Sequence, residues 1–154
     1  MSNTPTITNR KARHNYEIID TYEAGMVLVG VEVKSLRRGE ANLMGAYCKF
    51  KDHELFLVDC HITPYRAAST HTEVSATRPR KLLLSRPELR RLKAKVEEKG
   101  LTIIPLKIYF LKHLAKVLIG LGRGKREFDK RESLRRADHE MEMQRVKGRY
   151  EHEF

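Results

Sequence analysis

Residues Lys116–Leu121 (KVLIGL) form a strand-like apolar run, and the sequence changes character directly after them, at Gly122–Arg131 (GRGKREFDKR). Seven Lys or Arg and three Asp or Glu fall between Arg123 and Arg136. Such a segment has too little apolar surface to bury itself, so we expect a flexible, disordered basic tail over residues 123–154. A compact domain with a basic arm is typical of a protein with a polyanionic partner.

The composition of the whole chain agrees with this division. Its 154 residues are 40% hydrophobic, which is enough for one core, and its formal net charge is +11. That charge favours nucleic acid or an anionic membrane surface over a neutral metabolite. No apolar run approaches the roughly 20 residues of a membrane-spanning helix, and residues 1–13 lack the apolar stretch of a signal peptide. Cys48 and Cys60 have no metal-ligand spacing, so we expect buried free thiols in the cytoplasm and no metal site.

Several elements can be assigned upstream of the tail. Residues 1–8 have no charge and no apolar period, so we expect a disordered leader. Tyr16–Val29 alternates as a long strand, with a bulge predicted near Ala24 and Gly25. Strand-like patterns at residues 46–50 and 55–60 predict one hairpin, and those at 101–110 and 116–121 predict a second. Pro105 predicts an edge or bulge position in the first strand of the second hairpin. His61–Pro79 is typical of a long loop.

Helical patterns are fewer. Val31–Leu43 predicts a short helix that ends at Gly39. A second helix has Ser85 as its N-cap, Glu88 completing a capping box and Gly100 as its stop. The fold class is therefore mainly β with flanking helices (α+β). A closed antiparallel barrel of the oligonucleotide-binding type over residues 9–122 is the favoured architecture, and an open twisted sheet with a packed helix is the alternative.

Cations concentrate in three clusters. The first lies at residues 10–13, the second at 78–95 with eight cations and one acid, and the third is the tail. One cluster alone would be a solvated face, but three in a small domain favour nucleic acid. Aromatic residues make up only 7% of the chain. Recognition of a folded RNA by its shape and backbone is therefore favoured over stacking of many single-stranded bases.

Signals for catalysis are poor. The run Gly120–Lys125 (GLGRGK) suggests a phosphate loop, but Ile119 and Arg126 stand where the Walker pattern needs Gly and Ser or Thr. Lys125 likewise replaces the last Gly of the dinucleotide pattern. His71 lies in a polar loop, and nothing in the sequence places an Asp beside it. We therefore expect neither an enzyme nor a cofactor.

A set of ordered motifs spans residues 9–131. They are Asn9–His14 (NRKARH), Glu23–Gly25 (EAG), Gly30–Asn42 (GVEVKSLRRGEAN), Ile62–Tyr65 (ITPY), Ala68–His71 (ASTH), Arg78–Leu84 (RPRKLLL), and Gly124-Lys125 with Asp129–Arg131 (DKR). Together they resemble the SmpB family of bacterial SsrA-binding proteins. One departure is Phe128, since His often precedes the Asp-Lys-Arg triplet in that family.

The resemblance implies a fold and a function. The family has an oligonucleotide-binding-type barrel with flanking helices, is not enzymatic, and binds the tRNA-like domain of transfer-messenger RNA (tmRNA, SsrA RNA). It delivers this RNA to stalled ribosomes for trans-translation. Implied partners are tmRNA, the decoding centre and mRNA channel of the ribosome, and elongation factor Tu and alanyl-tRNA synthetase through the shared RNA. We expect a monomer without a membrane partner.

Site residues follow from the clusters and the resemblance together. The candidate RNA-binding residues are Asn9, Arg10, Lys11, Arg13, His14, Glu23, Lys34, Arg37, Arg78, Arg80, Lys81 and Leu83. The candidate ribosome-binding tail residues are Lys125, Arg126, Asp129, Lys130, Arg131, Arg135 and Arg136. Glu23 has two interpretations, because its carboxylate could accept hydrogen bonds from RNA or form an ion pair with Arg10 or Arg13.

The tail has good helix formers and neither Pro nor Gly from Asp129 until Gly148. Its apolar stripe is thin, so an isolated helix would be marginal in water. We expect it to become helical on the ribosome, where it would sense an empty mRNA channel; docking on its own barrel is the alternative. A general RNA chaperone or ribosome-assembly factor is the alternative function for the whole protein, and an enzyme acting on RNA is a more distant one.

Overall fold

A computed structural model of the protein describes residues 4–64 and 74–125. Within them the chain forms nine strands and three helices. In order these are β1 (Ile7–Thr8), α1 (Ala12–Asn15), β2 (Tyr16–Met26), α2 (Gly30–Arg37), β3 (Ala41–Asn42), β4 (Tyr47–Lys51), β5 (Glu54–Val58), β6 (His61–Ile62), β7 (Arg80–Leu83), α3 (Arg86–Lys99), β8 (Thr102–Leu111) and β9 (Leu114–Gly124). The expectation of a mainly β protein with a few helices is confirmed.

Seven of these strands make one antiparallel sheet. Its order is β1-β8-β4-β5-β7-β2-β9, and β9 pairs additionally with β8. The two longest ladders join β9 to β2 and to β8, so β9 has partners along both of its sides. The short strands β3 and β6 pair separately.

The main core lies on one face of this sheet. Alternation places Tyr22 and Ala24 of β2 and Val117, Ile119 and Leu121 of β9 on the buried side. The residues that alternate with them on each strand lie on the opposite face of the sheet, and that face holds the candidate site. Burial of each large aliphatic side chain stabilises the fold by about 1.5–3 kcal/mol.

Helix α3 begins and ends where the sequence predicts. The Ser85 side chain accepts from the Glu88 backbone N–H at 3.3 Å, and the Glu88 carboxylate accepts from the Ser85 N–H at 3.3 Å. Gly100 ends the helix in the left-handed region, with a φ of 61°. Leu92 is fully buried in the main core, so α3 packs on the sheet through one narrow face and leaves its cations outside.

Three boundaries of the sequence analysis need correction. Ile7 and Thr8, assigned to a disordered leader, form β1 against Ile108 and Lys107, because buried Ile7 joins the core. The domain does not end at residue 122, since β9 continues to Gly124 opposite Tyr16 of β2.

The third correction concerns β2, which ends at Met26 rather than Val29. Its irregularity against β9 lies between Ile18 and Asp20 rather than at Gly25. The bulge expected at Pro105 is confirmed, since the β8–β9 register shifts between Pro105 and Lys107.

A second, smaller core fixes α1 on the other face of the sheet. Ala12 of α1 packs with Ile104 and Leu106 of β8, and Ile18 and Leu118 lie against them. A β carbon on Gly120 would lie 3.1 Å from both Ile18 Cγ2 and Leu106 Cδ1, so glycine is what allows this close packing. Gly120–Gly124 is thus the end of β9, with Lys125 directly after it, in agreement with the rejection of a phosphate loop.

The two cysteines are buried and free, as expected. Burial raises the pKa of Cys60 to about 11 and raises that of Cys48 further. Both thiols therefore stay protonated near neutral pH and behave as small apolar side chains.

Candidate nucleic-acid interface

Two cross-strand rows define a candidate site on the exposed side of the sheet. The first row runs Leu83 (β7), Gly25 (β2), Lys116 (β9) and Tyr109 (β8). The second row runs Glu23 (β2), Leu118 (β9), Lys107 (β8) and Thr8 (β1). Residues directly opposite in antiparallel strands share one face. We call these eight residues the strand face.

Glu23 lies exposed on the strand face and has a partner that the sequence did not suggest. The Tyr109 hydroxyl donates a hydrogen bond to Glu23 Oε2. Burial, and then this hydrogen bond, raise the pKa of Tyr109 to about 12. The hydroxyl therefore remains a donor at physiological pH and holds one carboxylate oxygen. Of the two interpretations of Glu23, the ion pair with Arg10 or Arg13 does not form within residues 4–64 and 74–125, where the carboxylate accepts from a neutral phenol.

Cations flank this pair. The Lys107 ammonium lies 5.4 Å from the centroid of the Tyr109 ring. Lys116 projects across Gly25: a β carbon placed on Gly25 would lie 3.8 Å from Lys116 Nζ and 3.3 Å from Leu83 Cβ. The absence of a side chain at Gly25 thus brings a cation and an apolar group side by side.

Leu83 is the apolar member of the face. Its side chain is 52% exposed, while the neighbouring Leu82 is buried in the core. An exposed leucine beside the Lys116 ammonium, on the same face as Glu23 and Lys107, offers a surface for a base or ribose together with polar groups for hydrogen bonds.

The first basic cluster borders the strand face. The Asn9 amide nitrogen donates to the Pro105 carbonyl at 2.9 Å, and the Asn9 backbone N–H donates to Leu106 O at 2.8 Å. Asn9 thereby secures the chain at the β8 bulge. Arg10, Lys11 and Arg13 are exposed beyond this point.

His14 and Lys125 join this cluster to the start of the tail. His14 is half-buried, and its Nδ1 has no hydrogen-bond partner within residues 4–64 and 74–125. The Lys125 backbone N–H donates to Asn15 O at 2.9 Å, and Lys125 Nζ donates to Arg13 O at 3.0 Å. Lys125, the candidate tail residue that lies within residues 74–125, is therefore hydrogen-bonded to the end of α1.

Two arginines of the second basic cluster, Arg78 and Arg80, contact the buried carboxylate of Glu32. Arg80 is fully buried, and its Nε donates to Glu32 Oε2 at 2.7 Å. Its other nitrogens donate to the carbonyls of Cys60 and Ala76. Arg78 forms a second charged contact with Glu32, with Nε 3.1 Å from Oε2. We call Glu32, Arg78 and Arg80 the Glu32 cluster.

This arrangement corrects the assignment of Arg80 as an RNA-binding residue. All three guanidinium nitrogens of Arg80 bond to the protein and the side chain has no exposed surface, so it presents no accessible donor to a phosphate. Arg78 keeps partial exposure, but its guanidinium is likewise held by Glu32. Burial alone would raise the pKa of Glu32; hydrogen bonds from Arg78, the Val29 N–H and Arg80 outweigh it and hold that pKa below its ordinary value.

The remaining candidates lie on other elements. Lys81 is half-exposed and pairs with Glu54 at 3.1 Å. Lys34 and Arg37 are exposed on α2, and the Arg37 guanidinium lies 4.9 Å from the centroid of the Phe110 ring. Arg126, Asp129, Lys130, Arg131, Arg135 and Arg136, with the loop residues Tyr65 and His71, lie outside the described residues.

Sequence reasoning missed Lys107, Tyr109 and Lys116. All three lie in strands that were recognised, and strand alternation places Lys107 and Tyr109, two residues apart, on one face. What was missing was the register that brings β8 and β9 beside Glu23. Glu32 was also missed, because its motif gives no sign that the carboxylate is buried.

None of the helices within residues 4–64 and 74–125 is long and apolar enough to cross a membrane. The same residues contain no group of three or more His, Cys, Asp or Glu that could hold a metal ion.

Comparison with known proteins gives a consistent result. A family model described as SmpB protein matches residues 6–149. The SsrA-binding protein of Thermus thermophilus is 52% identical over 143 residues, covering 89% of this chain and 99% of the relative. That of Nostoc sp. is 48% identical over 142 residues, covering 92% of each chain.

A solved structure is also similar. It is described as "tmRNA-SmpB: a journey to the center of the bacterial ribosome" and matches with a TM-score of 0.66 and 53% sequence identity. The match covers 86% of this chain and 96% of that chain.

Proposed function

The chain belongs to the SmpB protein family, and from this membership we propose that it is an RNA-binding protein that binds tmRNA and takes part in trans-translation on the ribosome. The structural observation that supports this proposal is the strand face. This face presents a hydrogen-bond acceptor, a hydrogen-bond donor, cations and an apolar side chain in two cross-strand rows. That combination suits the body of a folded RNA.

The finer parts of the proposal extend the same inference. We assign the tRNA-like domain of tmRNA to the strand face and the neighbouring residues Asn9–Arg13. The pairing of β9 with both β2 and β8 supports a closed barrel of the oligonucleotide-binding type, because the order β8-β4-β5-β7-β2-β9 returns to β8 and β1 lies outside that ring. Closure would keep the rows of the face at fixed spacing.

The tail completes the proposed mechanism. Lys125 bonds to the end of α1, so the tail leaves the domain beside the first basic cluster. We propose that residues 126–154 enter the mRNA channel next to the decoding centre and become helical there as phosphates neutralise their cations. Delivery would then occur as a monomer in the cytoplasm, with elongation factor Tu and alanyl-tRNA synthetase acting on the same RNA and no reaction catalysed by this chain.

Replacing Glu23 with Ala is expected to weaken binding of the tRNA-like domain by about tenfold, with an unchanged melting temperature. Removing an acid from a protein of net charge +11 should strengthen RNA binding if bulk charge alone decided affinity. A loss would therefore identify Glu23 as a hydrogen-bond acceptor for the RNA, worth about 1.5–3 kcal/mol as a charged group. Affinity would be measured by filter binding and stability by circular dichroism.

Glu17→Ala is the matched control for that experiment. Glu17 is an exposed carboxylate of the same strand, and it lies outside the strand face. It should leave affinity unchanged or slightly raised. Equal losses from Glu17→Ala and Glu23→Ala, or a parallel loss of folding, would contradict the assigned role. Equal affinity of the wild-type protein for an unrelated folded RNA would instead favour the RNA chaperone.

Affinity should also fall steeply with salt. Each phosphate contact contributes a log–log slope of roughly 0.7–0.9, so Lys116→Ala and Lys11→Ala should each lower the slope by about that amount. Lys99→Ala removes an equal charge from the far end of α3 and should leave the slope unchanged. A slope independent of Lys116 and Lys11 would contradict phosphate contacts at these residues.

A further inference from the structure

A groove of about 620 Å³ opens between the β4–β5 turn, β7 and the first two turns of α3. We call it the α3 groove. Its apolar lining includes Phe50, Leu83, Leu84 and Leu89. Leu83 also belongs to the strand face, so the groove begins where the proposed RNA site ends.

Cations from two elements line the α3 groove. Arg86, Arg90 and Lys93 follow one another at spacings of four and three residues, which places them along one side of α3 over about 10 Å. Lys81 of β7 also lines the groove. The charged lining is thus four cations against two acids, Asp52 and Glu54.

The four cations of the α3 groove differ in whether they have a partner within the protein. Lys81 pairs with Glu54 at 3.1 Å, and Lys93 Nζ lies 2.9 Å from His53 Nδ1. Arg86 and Arg90 are exposed, and neither forms an ion pair with any residue in 4–64 or 74–125. Two uncompensated guanidinium groups beside an apolar floor therefore remain available to an external anion.

We propose that the α3 groove binds a single strand of RNA that continues from the strand face at Leu83. Arg86 and Arg90 hold successive phosphates, for which the guanidinium fork is well suited. A base stacks on the Phe50 ring and riboses pack on Leu84 and Leu89, since unpaired bases stack on aromatic side chains while a duplex offers mainly its backbone. This inference rests on the proposed function and extends its RNA footprint from the sheet to α3.

A labelled 12-residue oligouridylate is the probe, with the full chain as the protein. The Arg86→Ala/Arg90→Ala double variant should lower its affinity about tenfold and reduce the log–log salt slope by roughly 1.4, which is two single-strand contacts. Arg91→Ala/Lys99→Ala is the matched control. Arg91 and Lys99 are exposed on the same helix but do not line the groove, so an equal loss of charge should change affinity by less than about twofold.

Crosslinking locates the contact directly. An oligouridylate containing 4-thiouridine should crosslink to Phe50 or to the segment 83–93, and the crosslink should fall in the Arg86→Ala/Arg90→Ala variant. Equal loss of affinity in both double variants, a crosslink elsewhere, or no binding of the oligonucleotide at low salt would each overturn the proposal. The proposed function would survive those results if Glu23→Ala still weakened binding of the folded tRNA-like domain.

Discussion

Replacing Glu32 with Ala is expected to lower the free energy of unfolding by about 3–5 kcal/mol, because it leaves the buried Arg80 charge without its carboxylate. The loss should lower the melting temperature by roughly 10–20 °C for a domain of this size. Arg80 is the first residue of β7, so the variant should also disturb Leu83 at the other end of that strand. Denaturant unfolding followed by circular dichroism measures the change.

Glu54→Ala is the matched control, since it removes a carboxylate from an exposed ion pair with Lys81. Exposed pairs contribute at most about 1 kcal/mol, so its effect should be several times smaller. Similar losses in the two variants would mean that the burial of Glu32 adds nothing to the contribution of its charged contacts.

The same carboxylate should make stability sensitive to acid. Burial opposes ionisation of Glu32, but hydrogen bonds from Arg78, the Val29 N–H and Arg80 hold its pKa below the ordinary value. The folded state therefore binds a proton less readily than the unfolded chain. This contribution is complete above the unfolded pKa of about 4.3 and is lost as the pH falls through the lower folded pKa. The stability of Glu32→Ala should decline less over that range than the wild-type stability.

Local signals in the sequence predicted the elements well where geometry depends on neighbours along the chain. The capping box at Ser85 and Glu88 and the stop at Gly100 define α3 without tertiary information. The turn of the β4–β5 hairpin, at Asp52 and His53, falls where polar residues separate two apolar runs. The bulge at Pro105 follows from the missing backbone donor of proline.

The errors arose where partners are distant in sequence. Ile7 pairs with Ile108, a contact across 101 positions that no local pattern in a short polar segment reveals. Arg80 looked like a surface cation because it stands among other cations, yet Glu32, 48 residues earlier, draws it inside. Charge density along a chain therefore predicts the class of partner better than it identifies the residues that contact it.

In the candidate site too, some residues were assigned from the sequence and others required the three-dimensional strand pairing. Glu23 and Leu83 were assigned to the RNA site with Asn9 by family resemblance, and the structure places the first two on the strand face. Tyr109 and Lys116 could be added only once the register of β8 and β9 was known. A sequence specifies which residues alternate on a strand, but the three-dimensional pairing decides which of them meet.

Ending the chain at Lys125 is expected to abolish peptide tagging on stalled ribosomes while RNA binding is retained. The cut belongs after Lys125 rather than after Gly122, because Arg123 and Gly124 pair with β2 and the Lys125 N–H bonds to Asn15 O. The described core and strand face would then be intact, so the melting temperature and the affinity for the tRNA-like domain should stay close to wild type. Tagging in a reconstituted translation system measures the loss.

Within the tail, the triplet Asp129–Arg131 should account for much of that loss, because only residues 126–128 separate it from Lys125 and it matches the family motif. Replacing all three residues with Ala should abolish tagging with the RNA complex unaffected. Removing only residues 150–154, which contain none of the assigned tail residues, is the control and should leave tagging unchanged. If the chain ending at Lys125 still supported tagging, the tail would be a solvated appendage, and the sensing of an empty mRNA channel would have to be assigned to the folded domain.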